Sequence, residues 1–352
     1  MNAPHNAPIA VGRNESILFW TLLLATLVVG VAMRLPAFLP SPMNYHLVRQ
    51  YAGIVNARVV QLYWQGVEPR STQAAWFEEN RKSLVEPPIL ELSMLAIGSW
   101  DGESWPRWGC VLSSLFWLAG GFFLFDLVLG LVSSRVAALG AVTYFLLCPF
   151  SIVISQSFQP EGLMILAFLI SLWFLVRFLD DRWSRVVATG MIHGLAVAVK
   201  PGILLFPLLG GYLGFRASRD GWKRSILDPR TYAHGLLLIL PSLLYAAFFL
   251  REHFGTKIVP HLLLSTEFYV LWGTNLRATV AWIPLACSLV GVFILARDFR
   301  SFLGVGLTLG YILYALVFSW HTATHDYYQA PLVPIVALGI GGLLAKVLHS
   351  AR

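Results

Sequence analysis

The chain has 352 residues, of which 57% are hydrophobic and only 12% charged, about half the charged share of an average soluble domain. That composition, with 13 Trp and 23 Phe, excludes a water-soluble globular protein and reads as a polytopic membrane protein. The net charge of +7 is explained by retention of cations against an anionic inner leaflet, so no nucleic-acid partner is inferred from it.

Taken in order, residues 1–16 are polar and are expected to form a disordered cytoplasmic tail, with 17–352 as a single transmembrane domain. Asn14-Glu15-Ser16 matches a glycosylation sequon, read as chance on that side. The first apolar run, 17–37, is long and lacks a small-residue cleavage site, which reads as an anchor rather than a cleaved leader. Further apolar runs fall at 108–131, 134–155, 161–179, 185–199, 201–215, 233–250, 278–296, 302–319 and 330–348, giving about ten expected spans. The two shortest meet at Lys200-Pro201-Gly202, a break because Pro cannot continue the helical ladder. Cys110, Cys148 and Cys287 lie within or at the ends of runs and read as small packing residues.

Cations set the expected orientation. Short connections carrying Arg135, then Arg177, Arg182 and Arg185, then Arg216, Arg219, Lys223, Arg224 and Arg230, then Arg297 and Arg300 read as cytoplasmic. Both termini then lie inside, and the polar stretch 39–106, which holds seven of the 18 acidic residues, lies outside. A loop of that length is not needed merely to join two spans.

Four polar groups map to that outer face. His46, Arg49 and Gln50 share one side if 44–62 is helical, with Val48, Tyr51, Val55, Val59 and Leu62 opposite, as in an amphipathic helix lying along the interface. Glu86-Pro87-Pro88 precedes the apolar run ILELSMLAI, and the two prolines hold Glu86 at the start of a segment returning to the membrane. Gln159-Pro160-Glu161 opens the fourth span, where Glu161 also suits the helix dipole. Between the last two spans, Trp320 to Gln329 reads W-H-T-A-T-H-D-Y-Y-Q, placing His321, His325, Asp326, Tyr327 and Tyr328 in one loop. Lys200, at the outer end of a span, needs an anionic partner or a snorkelling path, and a lipid phosphate is one such partner.

The order Y-H-x-x-R-Q-x-x-x-x-x-x-A-R (45–58), Glu86-Pro, Pro-Glu (160–161), Lys200-Pro and His-Asp-Tyr-Tyr (325–328) resembles GT-C membrane glycosyltransferases. The similarity is to the protein-mannosyltransferase and aminoarabinose-transferase type, known in bacteria as dolichyl-phosphate-mannose-protein mannosyltransferase-like. The resemblance implies an all-α fold and a bacterial inner-membrane location. It also implies transfer of a sugar from a polyprenyl-phosphate carrier to an acceptor hydroxyl at the extracytoplasmic face. The implied partners are that donor, a glycan, lipid or protein acceptor, and membrane lipids; no cofactor or metal is indicated. Such a reaction needs a base for the hydroxyl proton and cations for the departing phosphate, for which Arg49, Arg58 and Lys200 are the candidates. Asn44, Gln50, Glu161, His325, Tyr327 and Tyr328 complete the expected substrate-binding set.

In the family an acidic residue near the start of the first outer helix is the expected base. Here the neighbourhood reads Pro42-Met43-Asn44-Tyr45-His46, with no acid, leaving His46 or Glu86 for the proton. A secondary transporter or lipid flippase and a catalytically silent lipid-binding homologue are the alternatives. A transporter would place coupling charges near the midplane.

Overall fold

The computed structural model describes residues 13–38, 45–66, 86–97, 104–249 and 258–351, and each apolar run contributes one or more helices within them. Helix α1, Arg13–Ala32, begins inside the stretch expected as a tail; residues 1–12 lie outside the described ones. From the polar stretch come α2, Leu47–Trp64, and α3, Ile89–Ile97. The bundle then builds through α4 (Trp105–Val132), α5 (Arg135–Leu147), α6 (Pro149–Ser155), α7 (Glu161–Phe178), α8 (Trp183–Val199) and α9 (Leu205–Asp220). It continues with α10 (Trp222–Leu227), α11 (Pro229–Phe249), α12 (Thr266–Val280), α13 (Trp282–Arg297), α14 (Leu303–Val317), α15 (Ser319–Thr324) and α16 (Leu332–Ser350).

The ten apolar runs do not become ten equivalent spans. Among the described residues five stretches are long and apolar enough to cross a membrane, or up to seven if each bent helix pair is one span. One bent pair is α5–α6, turned by 57° where Pro149 lacks an amide hydrogen and Cys148 is not helical. The other is α12–α13, turned by 86° at Ala281, whose φ is +57°. Hydropathy located the second arm of that pair and passed over α12, whose Glu267, Asn275 and Arg277 interrupt the apolar run. Helix α9 also starts later than its run and continues to Asp220, because Pro201 and Gly202 (φ +92°) hold the chain in a turn until residue 204. Arg216 and Arg219, expected in a loop, therefore lie on the helix.

Two helix pairs approach at backbone distance. In α9 and α14, a Cβ on Gly210 would meet the Gly306 carbonyl, and one on Gly214 the Phe302 carbonyl. In α13 and α16, a Cβ on Gly291 would overlap the Gly339 carbonyl. Small-residue faces of this kind let transmembrane helices gain close van der Waals contact without a hydrophobic driving force between them. Gly291→Ala is therefore expected to destabilise the protein by about 3 kcal/mol, read as a fall in melting temperature in nanodiscs. An unchanged melt would show that the pair can part freely.

Helix ends sort to two ends of the bundle. At one end Asp126 pairs with Arg177 at 2.7 Å, Arg219 reaches the Leu179 carbonyl at 3.3 Å and Lys346 pairs with Asp298 at 2.6 Å. At the opposite end Gln156 donates to the Met33 carbonyl at 2.9 Å and Tyr245 to the Glu86 carbonyl at 3.0 Å. The connections expected to be cytoplasmic gather at the first end, and the four polar groups at the second.

Candidate active site

The site forms where α2, α3, α7, α8 and the α15–α16 connection converge. Helix α2 begins at Leu47, later than the expected 44, because His46 has φ +47°, outside the helical region. That turn leaves the His46 ring ahead of the helix. Its 2.8 Å contact is with Asp326 Oδ1, which also accepts a 2.8 Å hydrogen bond from the Tyr45 hydroxyl. Asp326 belongs to a short 3-10 turn, Asp326–Gln329; His325 before it is extended, so the carboxylate turns back toward residues 45–46.

Gln50 is fully buried and does not share an open face with His46. Its side-chain nitrogen donates to the Tyr45 carbonyl at 2.6 Å, and its oxygen accepts from the Phe158 amide at 2.9 Å. It pins α2 to the α6–α7 connection. The helix turns Val48 and Tyr51 outward, 86% and 56% exposed, and buries Ala57, Val59 and Val60; the exposed pair fits a helix at a lipid interface.

A charge ladder lies beside the His46–Asp326 pair. Arg49 donates to Glu86, the Glu86 carboxylate stands 3.9 Å from Lys200 Nζ, and Lys200 donates to Glu161. Lys200 and Glu161 are 1% and 0% exposed, so the anionic partner that Lys200 requires comes from within the protein. Glu161 opens α7 yet engages Lys200, which dipole complementarity alone did not anticipate. The Tyr327 and Tyr328 rings cover Lys200, with centroids 4.6 Å and 4.9 Å from Nζ. Burial alone would lower the Arg49 guanidinium; the Glu86 and Glu161 carboxylates outweigh it and hold it above its ordinary value. Burial, then Asp326, pushes the Tyr45 phenol well above its usual range, keeping it a hydrogen-bond donor.

A cavity of about 590 Å³ opens on this junction, lined by His46, Leu47, Val48, Arg49, Ala52, His325 and Tyr327. The His46 ring lies 5.0 Å from Tyr327 and 6.4 Å from His325. The structure thus brings together His46, Arg49, Glu86, Glu161, Lys200, His325, Tyr327 and Tyr328, although only His46, Arg49, His325 and Tyr327 face the cavity. Arg58 is not among them: it is exposed and bonds Gln61 at 2.5 Å. Asn44 lies outside the described residues.

Two groups carry more of the site than their sequence suggested. Asp326 and Tyr45 sit in the motifs quoted above, but nothing local shows that they bond each other across 281 positions. Glu91 is a further buried carboxylate behind the ladder; burial raises it to about 7, partly offset by a hydrogen bond from Asn56. Within the bundle, His193 and His234 are both fully buried and contact each other at 3.1 Å, a pair that the spacing of the sequence did not single out. Among the described residues no group of three His, Cys, Asp or Glu side chains could hold a metal ion.

In the neutral tautomer that donates Nε2–H to Asp326, the His46 lone pair resides on Nδ1. The arrangement therefore offers one oriented base beside one cavity-facing cation, backed by aromatic surfaces. Compared with known proteins, residues 89–247 match the family model described as dolichyl-phosphate-mannose-protein mannosyltransferase, a GT-C family. The matched stretch includes Glu161 and Lys200 and ends before His325. No curated protein matches the chain. The family match and the all-helical bundle support an integral membrane glycosyltransferase of GT-C type.

Proposed function

We propose that the chain moves a sugar from a polyprenyl-phosphate carrier to an acceptor hydroxyl at the extracytoplasmic face of a bacterial inner membrane. The observation that carries this reading is the His46–Asp326 pair at a cavity shared with Arg49, within a bundle whose middle matches a glycosyltransferase family. In the proposed reaction the acceptor oxygen attacks the anomeric carbon, a new carbon–oxygen bond forms and the bond to the phosphate oxygen breaks. The hydroxyl proton passes to His46 Nδ1, while Asp326 steadies the ring; polyprenyl phosphate leaves with the bonding electrons.

Two cations, Arg49 and Lys200, stand against three carboxylates, Glu86, Glu161 and Asp326. A phosphate arriving there needs a cation released from its own partner. Arg49 is the one on the cavity, and Lys200, 3.9 Å from Glu86, remains to hold that carboxylate when Arg49 turns to the phosphate. His46 rather than Glu86 is the base in this scheme, because a carboxylate between two cations holds a proton poorly.

The test is release of polyprenyl phosphate by the protein in nanodiscs, from a panel of polyprenyl-phosphate hexoses and pentoses with alkyl glycosides as acceptors. Loss of a charged phosphate contact costs about 1.5–3 kcal/mol, so Arg49→Met is expected to raise the donor KM by roughly 10- to 100-fold. Failure of every donor in the panel counts against the reading, and an unchanged KM counts against Arg49 as the phosphate contact. A transporter would instead use groups inside the bundle, and His193–His234 is the place to look: donor-independent transport lost in His193→Ala would favour it.

A further inference from the structure

Asp326 can orient His46 only if the turn that carries it is held, and the chain leading into that turn is held from outside. Helix α15 has six residues, too few to satisfy its own last carbonyls. Asn275 on α12 donates through Nδ2 to the Thr322 carbonyl at 2.9 Å and to the Ala323 carbonyl at 3.0 Å. Gln329, at the far end of the 3-10 turn, donates to the same Thr322 carbonyl at 2.9 Å and is fully buried. Its side-chain oxygen accepts from the Tyr311 hydroxyl, which in turn accepts from the Trp272 indole at 3.2 Å. Trp272 and Asn275 are three residues apart and share a face of α12. One helix therefore grips both ends of the segment 322–329, once directly and once through Tyr311.

We infer that Asn275 is a positioning residue for the reaction: by bonding the last carbonyls of α15 it fixes where the helix stops and where Asp326, and through it His46, points. This rests on the proposed role of His46. Asn275 is not among the residues that line the cavity, so its effect must travel through the segment it holds. The chain leaves α15 at His325 with φ −141° and ψ 132°, and Asp326 follows within hydrogen-bond reach of two side chains. Without the amide donor, the two carbonyls can be satisfied by continuing or unwinding α15, and either change moves Asp326. The 86° bend after α12 lays this helix against the α15 segment instead of continuing the line of α13, so the bend itself serves the site.

The experiment is a double-mutant cycle in nanodiscs with the polyprenyl-phosphate sugar turned over fastest in the panel. Asn275→Ala is expected to lower kcat about 30-fold while the donor KM stays within about threefold, as for a group acting on the chemical step alone. In a His46→Ala background the same change is expected to cost nothing further, because the residue it orients is gone. Asn275→Asp, equal in size but with no donor when ionised, is expected to lose at least as much as Asn275→Ala and is measured in its place if the alanine variant does not fold. Asn275→Gln, which keeps the amide, is expected to recover part of the loss. Wild-type kcat in Asn275→Ala, or a loss that adds in full to that of His46→Ala, overturns the inference while leaving the proposed function standing. Normal turnover in His46→Ala overturns the role of His46 and the inference with it.

Discussion

Asp326→Asn is expected to lower turnover about 10³-fold, within the range attributed to general acid–base catalysis, with little change in donor KM or melting temperature. The carboxylate accepts from the Tyr45 hydroxyl and stands 2.8 Å from His46 Nε2. An asparagine fits the same space, and its one oxygen can accept from both Tyr45 and His46 as Oδ1 does, but it carries no charge. The imidazolium that forms when His46 takes the hydroxyl proton then lacks the counter-ion that stabilises it. Donor consumption and melting in nanodiscs check both halves. Turnover within tenfold of the wild type would show that His46 is not the base. Glu86→Gln separates the two candidates: it should disturb Arg49 and so donor KM, and a loss of kcat deeper than that of Asp326→Asn would return the base role to Glu86.

Lys200→Met is expected to destabilise the protein by about 3–5 kcal/mol, because it strips the partner from a carboxylate that is wholly buried. Burial exacts most of that cost. Each charge lost its hydration when the bundle formed, and the remaining one has no water to return to. Replacing both groups, Lys200→Met with Glu161→Leu, is expected to recover the loss, since two apolar chains of similar volume need no counter-ion. In the double variant kcat should stay within about tenfold of wild type, as neither side chain lines the cavity, while the donor KM rises because Glu86 has no second cation when Arg49 turns to the phosphate. The measurements are melting temperature and donor consumption on the same preparations. A Lys200→Met variant that melts like the wild type but has lost donor affinity would restore the earlier expectation that Lys200 meets the lipid phosphate.

The apolar runs and their breaks were legible because each depends on a few consecutive residues. The Lys200-Pro201-Gly202 triplet was read as a break and the chain breaks there, whereas 134–155 was read as one run and is broken at Pro149. Helix α12 escaped notice because Glu267, Asn275 and Arg277 interrupt its apolar run, yet it carries Asn275 and Trp272. Gln50 was read as facing the same way as His46 because the helix was started too early; the positive φ of His46 separates the two. Arg58 followed the motif in sequence but extends to Gln61, a local choice that spacing does not reveal.

Hydropathy and breaker residues are properties of short windows, and they determined the membrane class, the helical runs and the gathering of polar segments at one end of the bundle. The partners within that end were decided only by the tertiary structure. His46 and Asp326 are 280 positions apart, and Lys200 and Glu161 are 39 apart. Which of several polar groups pair is set by where packed helices place them and by the cost of leaving any one buried without a counter-ion. That cost binds Lys200 to Glu161 beneath two tyrosines and leaves His46 and Arg49 facing the cavity.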